Sequence, residues 1–184
     1  MKRVSDPEIR RQQILETAMK LFYEKGYENT SMADIAKELN VVKGLCYRYF
    51  DSKQALFEVA MNEYAEECCQ DFLKIIHAQN LPLNERLTAI LVKMLEPKEN
   101  GRYHDFFHKP GNEMMHEQIA IKMCKFMIPQ LEEELKKSNL PEASAKVLAQ
   151  YIMYGQIGIW QEGGESPEAI VGQFEAIINK LLNQ

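Results

Sequence analysis

TSMADIAKELNVVKGLCYRYF, residues Thr30 to Phe50, packs two short helices, a tight turn and a run of aromatic, basic and glycine residues into one stretch. Ser31 reads as a helix cap, and Asp34, three residues on, as the acid that returns the bond in a capping box. Met32, Ile35, Ala36 and Leu39 then fall on one face at helical spacing. Asn40 ends that helix, because asparagine tolerates the left-handed conformation a sharp turn needs. A second helix follows from Lys43 and sets Lys43, Gly44, Leu45, Tyr47 and Arg48 near its exposed start. Two helices joined by a three- or four-residue turn, the second carrying donors, form a helix-turn-helix layout.

Recognition of DNA needs phosphate contacts that position and base-edge contacts that specify. Helix N-termini aim N–H groups at phosphates, which suits the starts at Ser31, Lys43 and Lys53. Gly44 lets the helix backbone come close to DNA, and glycine inside a helix costs nearly 1 kcal/mol and so wants a reason. Lys43 is placed to read guanine, while Tyr47, Arg48 and Lys53 are placed to grip phosphates. Lys2, Arg3, Arg10 and Arg11 are candidates for an added basic arm, or simply a solvated helix start. Cys46, Tyr49 and Phe50 read as core against the first helix.

The segment resembles the DNA-binding motif of TetR-family transcriptional regulators. The pieces that carry the resemblance are Gly26-Tyr27, the SMADIA run from Ser31 to Ala36, Lys43-Gly44, and the string Tyr47-Arg48-Tyr49-Phe50-Asp51-Ser52-Lys53. It covers about residues 8–68, with the motif at 31–50. Val42 departs from the family, which usually has a Ser or Thr cap there; its loss costs the second helix about 1 kcal/mol. Leu45 stands where a small polar residue is common, and turns base reading toward apolar contact such as a thymine methyl. The resemblance implies a helix-turn-helix domain over 1–51 and an effector-binding and dimerisation domain over 52–184.

Charge distribution agrees with a basic head on an acidic body. The net charge is −5, but residues 1–57 hold ten Lys and Arg against eight acids, and the acidic excess lies beyond them. Screening over about 8 Å lets a locally basic face act despite a distant acidic one. No apolar run approaches a membrane span, and Met1-Lys2-Arg3 leads into polar residues, so a cytoplasmic chain without a membrane partner is expected. Four cysteines, two of them adjacent, do not make a disulfide framework, and burial is the plain reading of each. A redox role for Cys46 would need a depressed pKa.

Periodicity and breakers predict an all-α chain of about nine helices. Asp6-Pro7 starts the first and Gly26 stops it; Ser52 caps a long fourth that runs to about His77. A break at Glu99-Asn100-Gly101 precedes a short aromatic piece over 102–110. A long helical pattern then extends to about Ser138, which Pro129 is expected to kink or divide. Two final helices follow, over about 141–162 and 167–182.

Residues 102–128 carry Tyr103, Phe106, Phe107, Met114, Met115, Met123, Phe126 and Met127. The resemblance implies a ligand pocket among the middle helices, which such pliable side chains suit, and they suit plain core equally. His104 and His108 share metal-ligand spacing, with His116 beyond, but neither an HExxH motif nor a Cys pair accompanies them, and no metal or cofactor is assigned. The stretch Gly155 to Glu168 resembles the family's dimerisation region. Gly155, Gly158 and Trp160, with Ile170, Phe174, Ile177 and Ile178 beyond, are its expected contacts, against a plain intramolecular packing role.

The resulting expectation is a homodimeric repressor, not an enzyme, bound to a near-palindromic duplex and released by an unidentified small-molecule effector. The two recognition helices would enter grooves about 34 Å apart. An enzyme built on His104, Asp105, His108 or Cys124 lacks a nucleophile elbow, phosphate loop or zinc signature. A helical adaptor would leave Gly44 and the Lys43, Arg48 and Lys53 set without a purpose.

Overall fold

A computed structural model describes residues 6–95, 103–137, 142–162, 164 and 166–182. Among them the chain forms nine helices and no strand. These are α1 (Pro7–Lys25), α2 (Met32–Glu38), α3 (Lys43–Tyr49), α4 (Lys53–Ile76), α5 (Leu83–Leu95), α6 (His104–Phe107), α7 (Glu113–Lys136), α8 (Glu142–Glu162) and α9 (Pro167–Leu182).

The helix ends follow from their capping chemistry. Asp6 accepts from the Glu8 amide ahead of Pro7, and Gly26 closes α1 at φ +88° with its N–H on the Phe22 carbonyl. Ser31 and Asp34 complete the capping box, and Asn40, at φ +53°, turns the chain out of α2. The Ser52 hydroxyl caps α4 through the Ala55 amide at 3.0 Å. Ser166 caps α9 through the Ala169 amide at 3.2 Å. Pro129 sits inside α7 without dividing it. Proline has no N–H to offer the Lys125 carbonyl one turn earlier, and both residues are exposed.

Packing divides the chain into two compact units. The first comprises α1 to α3, α4 as far as Tyr64, and α6 with the start of α7 to His116. The second comprises the rest of α4, α5, the remainder of α7, α8 and α9. The first unit takes in α4 as far as Tyr64, and Leu56, Phe57, Ala60, Met61 and Tyr64 are buried there. Its core is aromatic. Phe22 meets Tyr27 at 5.1 Å and Phe57 at 5.8 Å between ring centroids, and Phe106 meets Phe57 at 5.8 Å. Phe107 stacks on Tyr64 at 4.8 Å. Such offset and edge contacts add about 0.5–1.5 kcal/mol per pair beyond burial.

The second unit is held by a mainly aliphatic core that includes Ile76, Leu87, Ile90, Leu131, Leu135 and Ile152, with Phe72 among them. One charged cluster is embedded in this unit. Glu134, 2% exposed, accepts from Arg86 Nη1 at 2.7 Å and Gln79 Nε2 at 3.1 Å, and also pairs with Lys137. Arg86 Nη1 also donates to the Ile76 carbonyl, which joins the end of α4 to α5. No helix among the described residues is long and apolar enough to cross a membrane.

Candidate nucleic-acid interface

The helix-turn-helix lies in the first unit, where α2 packs on α1 and α3 packs on α2. Ile35, Ala36 and Cys46 are fully or almost fully buried, so the two short helices share one apolar seam. Phe50 is 4% exposed at the end of α3, and the Arg11 guanidinium lies 5.3 Å over its ring. Arg11 also pairs with Glu63 of α4 at 3.2 Å. Arg11 is therefore a brace between α1, α3 and α4, not part of a loose arm; Lys2 and Arg3 lie outside the described residues. Thr30, 2% exposed, closes the loop from the other side, its hydroxyl 3.0 Å from the Gly26 carbonyl and 3.3 Å from that of Leu21.

On the opposite side of that seam, Ser31, Lys43, Gly44, Tyr47 and Arg48 are all exposed. Tyr47 is 42% exposed, and the Lys43 ammonium lies 5.4 Å over its ring. Nothing lies within 4 Å of the position a Cβ would take on Gly44. Lys53 is half-buried: its Nζ donates to the Tyr27 carbonyl at 2.7 Å and lies 4.1 Å over the Tyr27 ring. Ser31, Tyr47 and Lys53 come together along one shallow groove of about 370 Å³, with Glu28, Asn29, Thr30, Met32, Asp51 and Ser52 as its other walls. Asn29 and Thr30 were not legible as groove residues; their polar run between Gly26 and the cap was the available signal.

Two electrostatic details fix the local chemistry. The Ser31 hydroxyl, then the Ser31 amide, hold the Asp34 carboxyl below its ordinary range, so the capping box stays charged. Burial pushes the Cys46 thiol up, away from thiolate reactivity. All four cysteines are free. Val42, the α3 N-cap, makes no side-chain cap bond, as its hydrocarbon requires.

The eight residues expected to line a pocket divide between the two units. Tyr103, Phe106 and Phe107 are buried in the first, where Tyr103 and Phe106 also edge a cleft of about 350 Å³ with Glu16, Met19, Lys20, Tyr23 and Asp105. Met114 is 76% exposed and Met115 half-buried, while Met127 is buried and Met123 and Phe126 are half-buried around the second core. The aromatic pattern did not reveal which of two cores each ring joins. His104 and His108 stack at 4.1 Å between centroids, and His116 meets His108 at 4.7 Å. Burial first, then the neighbouring His104 and His116, lowers the His108 pKa. Among the described residues no group of three or more His, Cys, Asp or Glu is arranged to hold a metal ion.

On α8 and α9 the apolar residues split between core and surface. Ile178 is 1% exposed within the second unit, whereas Ile177 is 55% exposed; Ile170 and Phe174 are half-buried. Val147, Tyr151 and Tyr154 extend the exposed apolar set along α8. Gly155 is exposed, with open space where a Cβ would stand. Gly158 and Trp160 lie in α8, their side chains outside the described part.

Residues 14–60 match the family model described as bacterial regulatory proteins, tetR family. An uncharacterized HTH-type transcriptional regulator of Bacillus subtilis, YuxN, is 39% identical over 89 residues, 47% of this chain and 31% of that protein. The Staphylococcus aureus negative regulator of the biofilm operon icaADBC, IcaR, is 40% identical over 67 residues, 36% of this chain and 33% of that protein. The chain thus matches about a third of the length of these curated relatives. A solved TetR/AcrR-family transcriptional regulator of Thermobifida fusca covers 92% of this chain and 96% of its own, at 26% identity and a TM-score of 0.53. Residues 14–60, the capped helix-turn-helix and its supporting helices, are therefore a DNA-binding head of the tetR type, and the all-helical chain as a whole is similar in fold to a solved TetR/AcrR-family regulator.

Proposed function

We propose that this chain acts as a homodimeric DNA-binding transcriptional repressor that a small-molecule effector releases from its operator. The observation that carries the DNA-binding reading is Gly44. It sits in the first turn of α3, exposed and with nothing near its missing side chain, so no contact within the chain explains a residue that weakens the helix. Close approach to an outside backbone explains it, and Lys43, Tyr47 and Arg48 around it supply the charge and donors that phosphates and base edges take. The repressor direction follows IcaR, which is a negative regulator and resembles this chain over the head. The effector is proposed from the tetR-type head and the likeness in fold to a TetR/AcrR-family regulator, and the homodimer from the exposed apolar residues of α8 and α9.

Titration of the full chain against duplex DNA over a range of salt tests the reading. Affinity for a selected operator falls steeply with salt, since counterions leave the phosphates on binding. Lys43→Ala weakens that operator by about 1–3 kcal/mol and relaxes sequence preference at one position. Salt-independent binding, or a Lys43→Ala protein with unchanged affinity and preference, would remove the assignment.

A further inference from the structure

We propose that Val42 reads the 5-methyl group of a thymine at the start of each recognition helix. The inference rests on the DNA-binding reading above and names a specificity contact within it. Val42 is the most weakly justified residue of the head on internal grounds. Its side chain is 76% exposed, and at the N-cap of α3 it makes no hydrogen bond to the helix. Ser, Thr, Asn or Asp would cap the helix there and expose less hydrocarbon. The turn does not need it, since neighbouring Val41 is the half-buried residue and bonds its amide to the Ala36 carbonyl at 2.9 Å.

An exposed isopropyl group at the tip of a reading helix wants an apolar partner. In the major groove the bases offer hydrogen-bond donors and acceptors, and one apolar group that marks sequence, the thymine methyl. Leu45, the other apolar residue at the start of α3, is half-buried, and its amide bonds the Val42 carbonyl at 2.9 Å. The apolar reading that the sequence attached to Leu45 therefore moves to Val42. Two residues on, Gly44 has open space where its Cβ would stand, and between them Lys43 carries its cation over the Tyr47 ring, so the exposed start of α3 offers hydrocarbon and charge in adjacent positions.

The test uses the full chain and duplexes it selects from a randomised pool. Each thymine of a selected duplex is replaced in turn by deoxyuridine, which removes the methyl group and nothing else. At one position in each half-site this weakens wild-type binding about fourfold per half-site, the effect of leaving one methyl-sized apolar surface in water. Val42→Ser brings the thymine-to-uracil ratio at that position to one. Its melting temperature does not fall, because serine supplies the missing cap. Leu45→Ala keeps the ratio. Indifference to uracil at every position overturns the proposal, as does discrimination that survives in Val42→Ser or vanishes only in Leu45→Ala. A pool that returns no bound duplex would instead overturn the DNA-binding reading, and this proposal with it.

Discussion

On the proposed DNA-binding reading, Gly44 sets stability against recognition at a single residue. With open space around its α-carbon and no positive φ, Gly44 accepts a methyl group without collision inside the chain. Gly44→Ala therefore stabilises the head by about 0.5–1 kcal/mol, read by urea denaturation, because alanine loses less backbone freedom on folding. The same methyl holds the helix off DNA, so operator affinity falls. A variant that gains both stability and affinity would remove close approach as the reason for the glycine. Arg11 illustrates the opposite division: a basic residue near the N-terminus that the charge pattern offered as an arm is held between Phe50 and Glu63. Charge alone carries no information on direction, which only packing supplies.

At the scale of elements, the ends of helices were legible and their partners were not. Ser31 with Asp34, Asp6 with Pro7, and Ser52 each use chemistry local to a few residues, so sequence alone placed α1, α2 and α4. Of the two outcomes that Pro129 suggests, division does not occur, and α7 runs on to Lys136. Tyr103, Phe106 and Phe107 read as pocket lining; all three are buried, Phe106 against Phe57 and Phe107 against Tyr64, while Tyr103 and Phe106 also edge a cleft. Periodicity identifies an apolar face and not the surface it meets. The same limit hid the cluster that ties α5 to α7. Burial would raise the Glu134 carboxyl, but hydrogen bonds from Lys137, Arg86 and Gln79 outweigh it and hold the pKa at about 2. A carboxyl held below its unfolded value of about 4.5 gives stability that is present above about pH 4.5 and lost as pH falls through about 2. Glu134→Gln leaves Arg86 buried without its counter-charge and costs about 3–5 kcal/mol at pH 7. The gap between wild type and variant then narrows as pH falls below about 4.5, in urea denaturation at stepped pH. A gap that stays constant down to about pH 3 would refute the assignment to this carboxylate.

For the whole molecule the central question is what makes one head into an operator-binding protein. One head presents one recognition helix of seven residues, too little surface for tight and specific binding by itself. Doubling converts the second half-site into an intramolecular step, which raises affinity by about 10²–10⁴ with no new kind of interaction. Along α8, Val147, Tyr151 and Tyr154 repeat at helical spacing and are exposed. Along α9, Ile170, Phe174, Ile177 and Leu181 keep the same spacing, the first two half-buried and the last two exposed, while Ile178 turns inward to the core. Two helices with an outward apolar stripe suit an isologous contact, in which the same patch serves both copies. Tyr151→Glu combined with Ile177→Glu places two charges on that stripe without touching a buried residue. The variant keeps its helical circular dichroism, halves its mass in sedimentation, and loses at least about 100-fold in operator affinity. A variant that remains dimeric would move the interface away from α8 and α9. One that becomes monomeric with unchanged affinity would show that a single head suffices, and the paired-groove mechanism would be lost.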